Sequence, residues 1–183
     1  RDLTTFFSTY SRAGVFHNTQ GFVSDNVPLS HHISKATYYR LYIASILPDH
    51  ITSVVYLDSD AVVVRSVREL FEIKLTCPLA AADHFSPANA FRLWGDNPGT
   101  YFQAGVLVID LNTWRTEGYE QVFASILRDE AHRILWWDQD VLNIAFKDQW
   151  QRLPVWFNVS NQVRNQLDEQ LIQSNSCFVH LDG

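Results

Sequence analysis

The chain has 183 residues, 14 of them Lys or Arg against 20 Asp or Glu, a formal net charge of −6, and 46% hydrophobic residues. One domain suits that length, and the apolar share is enough for a sizeable core, which excludes a disordered chain. The net acidity argues against a nucleic-acid partner, because neutralising phosphates takes a clustered basic face, and no run approaches the roughly 18 apolar residues of a transmembrane segment.

In chain order, residues 34–47 carry Ala36, Tyr39, Ile43, Ile46 and Leu47 at helical spacing, with Ser34 to cap the start and Pro48 to stop the end. The run 51–57, ending in Val54, Val55, Tyr56 and Leu57, has the pattern of a strand buried on both faces in a parallel sheet. A second extended piece is expected at 61–64, a short helix at 67–73 and a buried strand at 78–82. Residues 83–100, with Pro87, Gly95, Pro98 and Gly99, read as a long excursion. A strand follows at 102–110, an amphipathic helix within 118–133, a helix at 138–146 and a closing strand at 177–181. Strands alternating with helices predict an α/β layered fold.

No basic stretch leads into an apolar one at the N-terminus, so no secretory signal is read there. The chain opens at Arg1 and contains no methionine, so that residue is not an unprocessed start and a fragment is expected. Cys77 and Cys177 are too few for a disulfide scaffold and lack metal-site spacing; ordinary thiols are expected, and a reducing compartment fits.

Asp58 and Asp60 end the 51–57 run one residue apart, and strand residues two apart share a face, so both carboxylates can meet one ion. Open α/β sheets bind ligands beyond the carboxyl ends of their strands, where these residues fall. A polar strand-end turn accounts for the pair equally well. Among the histidines His31, His32 and His180 stand near element ends; two carboxylates with one imidazole favour manganese over calcium. Asp138, Gln139 and Asp140 open a helix, where they either satisfy its dipole or present carboxylate and amide groups to a sugar. Arg40 is either a solvated arginine or a partner for phosphate or carboxylate. Trp136 and Trp137 either pack in the core or stack on a sugar ring.

Five stretches then stand in a familiar order: HHISKATYYRLYI (31–43), VVYLDSDAVVV (54–64), YFQAGVLVIDLNTW (101–114), WWDQDVLN (136–143) and VHLDG (179–183). From residue 31 to its end the chain resembles glycosyltransferase family 8, the group of bacterial lipopolysaccharide galactosyltransferases and glucosyltransferases and of glycogenin. The resemblance implies a single domain of the GT-A type over 1–183: an α/β, Rossmann-like, mostly parallel sheet flanked by helices. It also implies transfer of galactose or glucose from a UDP-hexose donor to a glycan acceptor, a lipopolysaccharide, glycoprotein or other, with retention of anomeric configuration. The implied cofactor is Mn2+, with Mg2+ as the alternative.

The resemblance carries roles to individual residues. Asp58 and Asp60 match the family's DxD pair, both on the metal, with Asp58 and Ser59 also in the nucleotide site; His180 matches the third metal ligand. His32 and Ile33 match positions that touch the nucleotide, and Gly183 the glycine beside the diphosphate. Arg40 matches the arginine near phosphate and donor sugar, and Asp138 and Gln139 the catalytic pair that holds the donor sugar and flanks its anomeric carbon. Gln103 and Ala104 fall in the donor-sugar site where the family has Asn followed by Ala or Ser. Gln139 is an amide and a poor nucleophile, so attack from the face of the departing diphosphate is expected.

The chain departs from the pattern at Gln103 and at Leu181, where an aromatic is usual. The family's first strand, which holds the uracil, and the Lys and Trp after the last glycine have no counterpart, so an incomplete chain is expected. The location implied is cytoplasmic, with peripheral association at the inner membrane compatible. Two other readings stand beside this one. Asp58, Asp60 and Val62 after an apolar strand also satisfy the DxDx(T/V) pattern of haloacid-dehalogenase-type phosphatases, and a fragment of a transferase can be a non-catalytic carbohydrate-binding or interaction module. The sequon at Asn158 does not imply secretion.

Overall fold

Nine residues of FQAGVLVID, apolar at nearly every position, form the central strand, because a strand covered on both faces needs no polar alternation. The protein is described by a computed structural model covering residues 14–15, 17–29, 34–96, 99–165, 170, 176 and 178–180. Its strands are β1 (Ser53–Leu57), β2 (Ala61–Val63), β3 (Leu79–Asp83), β4 (Phe102–Asp110), β5 (Gln151–Leu153) and β6 (Phe178–His180). The main sheet has the order β1-β4-β3-β5. Residues on one face of β4, Leu107 and Ile109, pack with Tyr38, Leu41, Trp114, Phe123 and Phe146. Val106 and Val108 on the other face pack with Leu70, Ala80, Leu153 and Phe157.

The expected α/β sheet flanked by helices is present, and its direction needs one refinement. β4 runs antiparallel to both β1 and β3, and β5 runs parallel to β3. β1, β3 and β5 therefore share one direction, yet only the β3 and β5 neighbours are parallel, because the reversed β4 lies between β1 and β3. β1 is also not buried on both faces: Ser53 and Leu57 are exposed and the three residues between them are half-buried. It is the last strand of the sheet among the described residues and has β4 as its one ladder neighbour there.

The helix expected over 34–47 is a 3-10 segment, Lys35–Tyr42, running into α1 (Ile43–Ile46). Ser34 caps it, accepting from the Ala36 N–H at 3.3 Å, and Leu47 turns extended ahead of Pro48. Thr37, Tyr38 and Tyr39 are poor helix formers, so burial of Tyr38 and Leu41 rather than propensity holds this segment. α2 (Arg68–Glu72) lies where a short helix is expected. The excursion at 83–100 is in part helical: Ser86 caps α3 (Pro87–Trp94), Pro87 stands in its first turn and Gly95 ends it at φ 66°. The same Pro and Gly residues that suggest a loop are this helix's boundary residues.

The sequence reading also passes over α4 (Leu111–Thr116), capped by Asp110, which accepts from Thr113 N–H at 3.0 Å. Gly118, left-handed at φ 67°, turns the chain into α5 (Tyr119–Asp129). Next come α6 (Trp137–Ala145), β5 and α7 (Asn161–Arg164), of which only α6 was expected. β6 lies within the expected closing strand and pairs antiparallel with β2, Ala61 opposite His180. Cys77 is a free thiol, and Cys177 lies outside the described residues. Asn158 is fully buried, so its sequon is closed to modification in the folded chain.

Candidate active site

β4 runs past the end of β1, and that overhang organises the site. The ladder of β1 stops at Leu57 opposite Val106, and among the described residues no strand pairs with the backbone of residues 102–104 on that side. Buried backbone polar groups need partners, and side chains supply them. Asn143 of α6 accepts from Phe102 N–H at 2.8 Å and donates to Phe102 C=O at 2.9 Å, as a neighbouring peptide would. Gln139 Oε1 accepts from Ala104 N–H at 2.9 Å, and Arg40 Nη1 donates to Ala104 C=O at 2.7 Å. Asp58 N–H reaches Gly105 C=O at 2.8 Å. The start of β4 thus fixes residues from three expected motifs: Arg40, Asp58, and both Gln139 and Asn143.

The register between β3 and β4 jumps from Ala81↔Leu107 to Ala82↔Gln103, so residues 104–106 form a bulge. Bulges re-aim side chains beside active sites. Here Ala104 faces a cavity of about 560 Å³, whereas Gln103 Oε1 is engaged by Gly105 N–H and by the amide of buried Asn158. Gln103 is absent from that cavity's wall; its amide reaches back into the bulge.

Asp58, Ser59, Asp60, Arg40, Asp138 and Gln139 all line the same cavity, with Tyr56, Thr37, Trp136 and Trp137 beside them. Arg40 is its hub. Its Nη2 donates to Asp58 Oδ1 at 2.7 Å, its Nε lies 2.7 Å from Asp138 Oδ2, and its guanidinium sits 4.4 Å from the centre of the Tyr56 ring. The Nε contact is an ion pair without hydrogen-bond alignment, so neither atom is fully satisfied. Asp138 Oδ1 accepts from the Thr37 hydroxyl at 2.5 Å, and Asp58 Oδ1 accepts from the Tyr56 hydroxyl at 2.8 Å.

Burial works against the Arg40 charge, but Asp138, Tyr56 and Asp58 outweigh it and raise its pKa. Burial raises the Asp138 carboxyl above its ordinary value against the opposing pull of Arg40 and Thr37. Burial likewise lifts the Tyr56 phenol, with Asp58 adding to the rise and Arg40 opposing it. Tyr56 therefore keeps its proton and donates.

The two readings of the acidic helix start divide between its residues. Asp140 does the capping, accepting from Leu135 and Trp136 N–H groups, each at 2.7 Å. Asp138 turns to the cavity wall. Trp137 has φ 43°, an unusual value for a bulky side chain and one found at functional sites. Trp136 is 43% exposed, meets Trp137 edge-on with ring centres 6.0 Å apart, and is held by Asn89 through its indole N–H.

Among the described residues no three His, Cys, Asp or Glu side chains gather as a ligand set. Asp58 and Asp60 share the cavity wall, and the β2/β6 register sets the His180 backbone opposite Ala61. The His180 side chain, His32, Ile33 and Gly183 lie outside the described residues. Thr37, Tyr56, Tyr101, Asn143 and Asn158 are not singled out as site residues by sequence. Thr37 and Tyr56 had a signal, standing one helical turn before Arg40 and two strand positions before Asp58; the others act through contacts distant in the chain.

Comparison with known proteins adds a family match and a fold match. The family model "Glycosyl transferase family 8" matches residues 1–183. Glycosyltransferase GlyB of Streptococcus pneumoniae is 33% identical over 133 residues, 73% of this chain and 30% of that protein. A lipopolysaccharide 1,2-glucosyltransferase of Escherichia coli is 28% identical over 160 residues, 80% of this chain and 47% of that protein. The crystal structure of the galactosyltransferase LgtC, in complex with donor and acceptor sugar analogs, superposes with a TM-score of 0.73 at 25% identity, covering 86% of this chain and 62% of that one. The chain spans less than half the length of those two sequence relatives.

Proposed function

The chain belongs to glycosyl transferase family 8, and from that premise we propose that it moves a hexose, glucose or galactose, from a UDP-sugar to a glycan acceptor with retention of configuration and with a divalent cation. The observation that carries this reading is the convergence of Asp58, Asp60, Arg40, Asp138 and Gln139 on one cavity. The lipopolysaccharide sugar transferases among its relatives support a hexose donor and a glycan acceptor of that kind. The family match over the whole chain favours transfer over phosphatase chemistry.

The donor set suits a hard or borderline cation. Among the described residues three carboxylates, Asp58, Asp60 and Asp138, share the wall with one guanidinium, that of Arg40, so negative charge exceeds positive charge there. Asp58 and Asp60 would hold the ion, with His180 as the third ligand, and Mn2+ fits that mixture of oxygen and nitrogen better than Mg2+. When bound, such a cation stabilises the charge gained by a departing diphosphate as a Lewis acid.

The chain's own residues do the rest. Arg40 keeps Asp58 and Asp138 from repelling one another and offers a fixed positive charge to the phosphates. Asp138 and the Gln139 amide present oxygens to the positive charge that develops on the sugar ring, and both are held before the donor arrives, as electrostatic stabilisation requires. Ala104 leaves room for the sugar against β4. A cytoplasmic site of action, against the inner membrane where the acceptor is a lipopolysaccharide, goes with this reading; no helix among the described residues is long and apolar enough to cross a membrane.

The test is UDP release from UDP-glucose and UDP-galactose with Mn2+ or with EDTA. Slow release is expected, stopped by the chelator and by Asp60→Asn. Release that EDTA leaves unchanged would overturn the cation's part in the reading.

A further inference from the structure

Behind Gln139 runs a chain of hydrogen bonds whose polarity is fixed at both ends. Asp140 is fully buried, 0% exposed. Its Oδ1 accepts from Arg92 Nη2 and from the Tyr101 hydroxyl, each at 2.7 Å, while its Oδ2 takes the two backbone N–H groups of Leu135 and Trp136. Four converging donors leave no place for a carboxyl proton, so Asp140 acts as acceptor alone. Arg92 comes from α3 and is itself anchored by the Arg133 carbonyl at 2.6 Å.

Burial first, and the Asp140 charge after it, push the Tyr101 phenol far above its ordinary value, so it keeps its proton. That proton goes to Asp140, which leaves the phenol oxygen to accept. Gln139 Nε2 donates to it at 3.1 Å. At the far end Gln139 Oε1 accepts from Ala104 N–H at 2.9 Å, and a backbone N–H permits no other polarity. Turning the Gln139 amide over would set its NH2 against the Ala104 N–H and its carbonyl against a phenol oxygen whose proton is already committed. Both contacts would repel.

We propose that Tyr101, backed by Asp140 and Arg92, is a positioning residue that fixes which way the Gln139 amide faces, so that its remaining N–H and remaining oxygen lone pair are presented to the donor sugar. The proposal rests on the donor-site role proposed for Gln139. Arg92 and Asp140 thereby tie the orientation of a cavity-lining group to α3, the helix within the long excursion between β3 and β4.

Tyr101→Phe deletes the hydroxyl and keeps the ring that packs against His84 and Trp94. The expected result is a fall of roughly tenfold in kcat for UDP release, the size of one lost positioning hydrogen bond, with UDP affinity by calorimetry unchanged. In a Gln139→Ala background the same substitution is expected to change kcat no further. Losses that multiply in both backgrounds would overturn the proposal, since a merely structural tyrosine would act on each alike. A second readout needs no turnover. In nitrogen–proton correlation spectra the Gln139 side-chain amide is expected as two well separated signals in the wild type, which draw together in Tyr101→Phe. A wild type that releases no UDP would fail the hexosyltransferase reading alone, while those signals still decide the role of Tyr101; signals unmoved by Tyr101→Phe would overturn it.

Discussion

Arg40 has a side chain only 9% exposed, and it contacts two carboxylates, one carbonyl and one aromatic face. Lysine offers its donors from a single point and cannot span those directions, whereas a guanidinium carries five in a fixed fork. Removing the charge leaves Asp138, itself 5% exposed, and Asp58 without their counter-ion. Arg40→Met is therefore expected to cost about 3–5 kcal/mol, the usual result of breaking a buried pair from one side. Urea denaturation checks it, and Arg40→Lys is expected to lie between Met and the wild type. A loss for Arg40→Met below about 1 kcal/mol would place the pair with exposed, weak ones. Arg40, Asp58, Asp60, Asp138 and Gln139 were legible as candidates because each lies in a short motif, and they line one cavity; that one arginine joins two of those motifs was not legible, because 18 residues separate it from Asp58 and nearly a hundred from Asp138.

At the scale of elements, α6 is docked on β4 by an amide standing in for a strand. Asn143 is 1% exposed and binds both backbone groups of Phe102 and the Gln139 carbonyl at 2.9 Å. Asn143→Ala leaves the N–H and C=O of Phe102 unpaired in the interior and is expected to cost at least about 2 kcal/mol, given about 1–3 kcal/mol per buried orphan. Thermal unfolding measures this, and a change within about 0.5 kcal/mol would mean that water replaces the amide. The asparagine stands inside the 138–146 helix that sequence predicts, yet nothing in periodicity tells a polar residue that closes a sheet from one that faces water. Strand β4 was legible residue for residue, since the run 102–110, apolar but for Gln103 and the closing Asp110, fits a buried strand. α3 and α4 were not, because Pro87, Gly95 and the Asp110 cap punctuate helices with the same residues that punctuate loops. The pairing of β1 was equally out of reach: a strand's own sequence does not name its ladder neighbours.

Among the described residues the cavity draws its wall from four separated stretches: residues 36–40, the end of β1 through 60, Ala104 in β4 and the 136–139 turn. None of these can bind a donor alone, so unfolding must release whatever the assembled site holds, and ligand and fold stabilise one another. A ligand at a hundredfold its Kd adds about 2.7 kcal/mol to the native state, which for a domain of this size raises Tm by about 5–10 °C. UDP with Mn2+ is expected to produce that rise in a thermal-shift measurement, and UDP with EDTA a distinctly smaller one. The difference between them reports the cation and is expected to vanish in Asp60→Asn. Should the melting temperature move equally with Mn2+ and with EDTA, the Asp58–Asp60 pair would hold no ion for the nucleotide, and Arg40 would be left as the group that meets its phosphates.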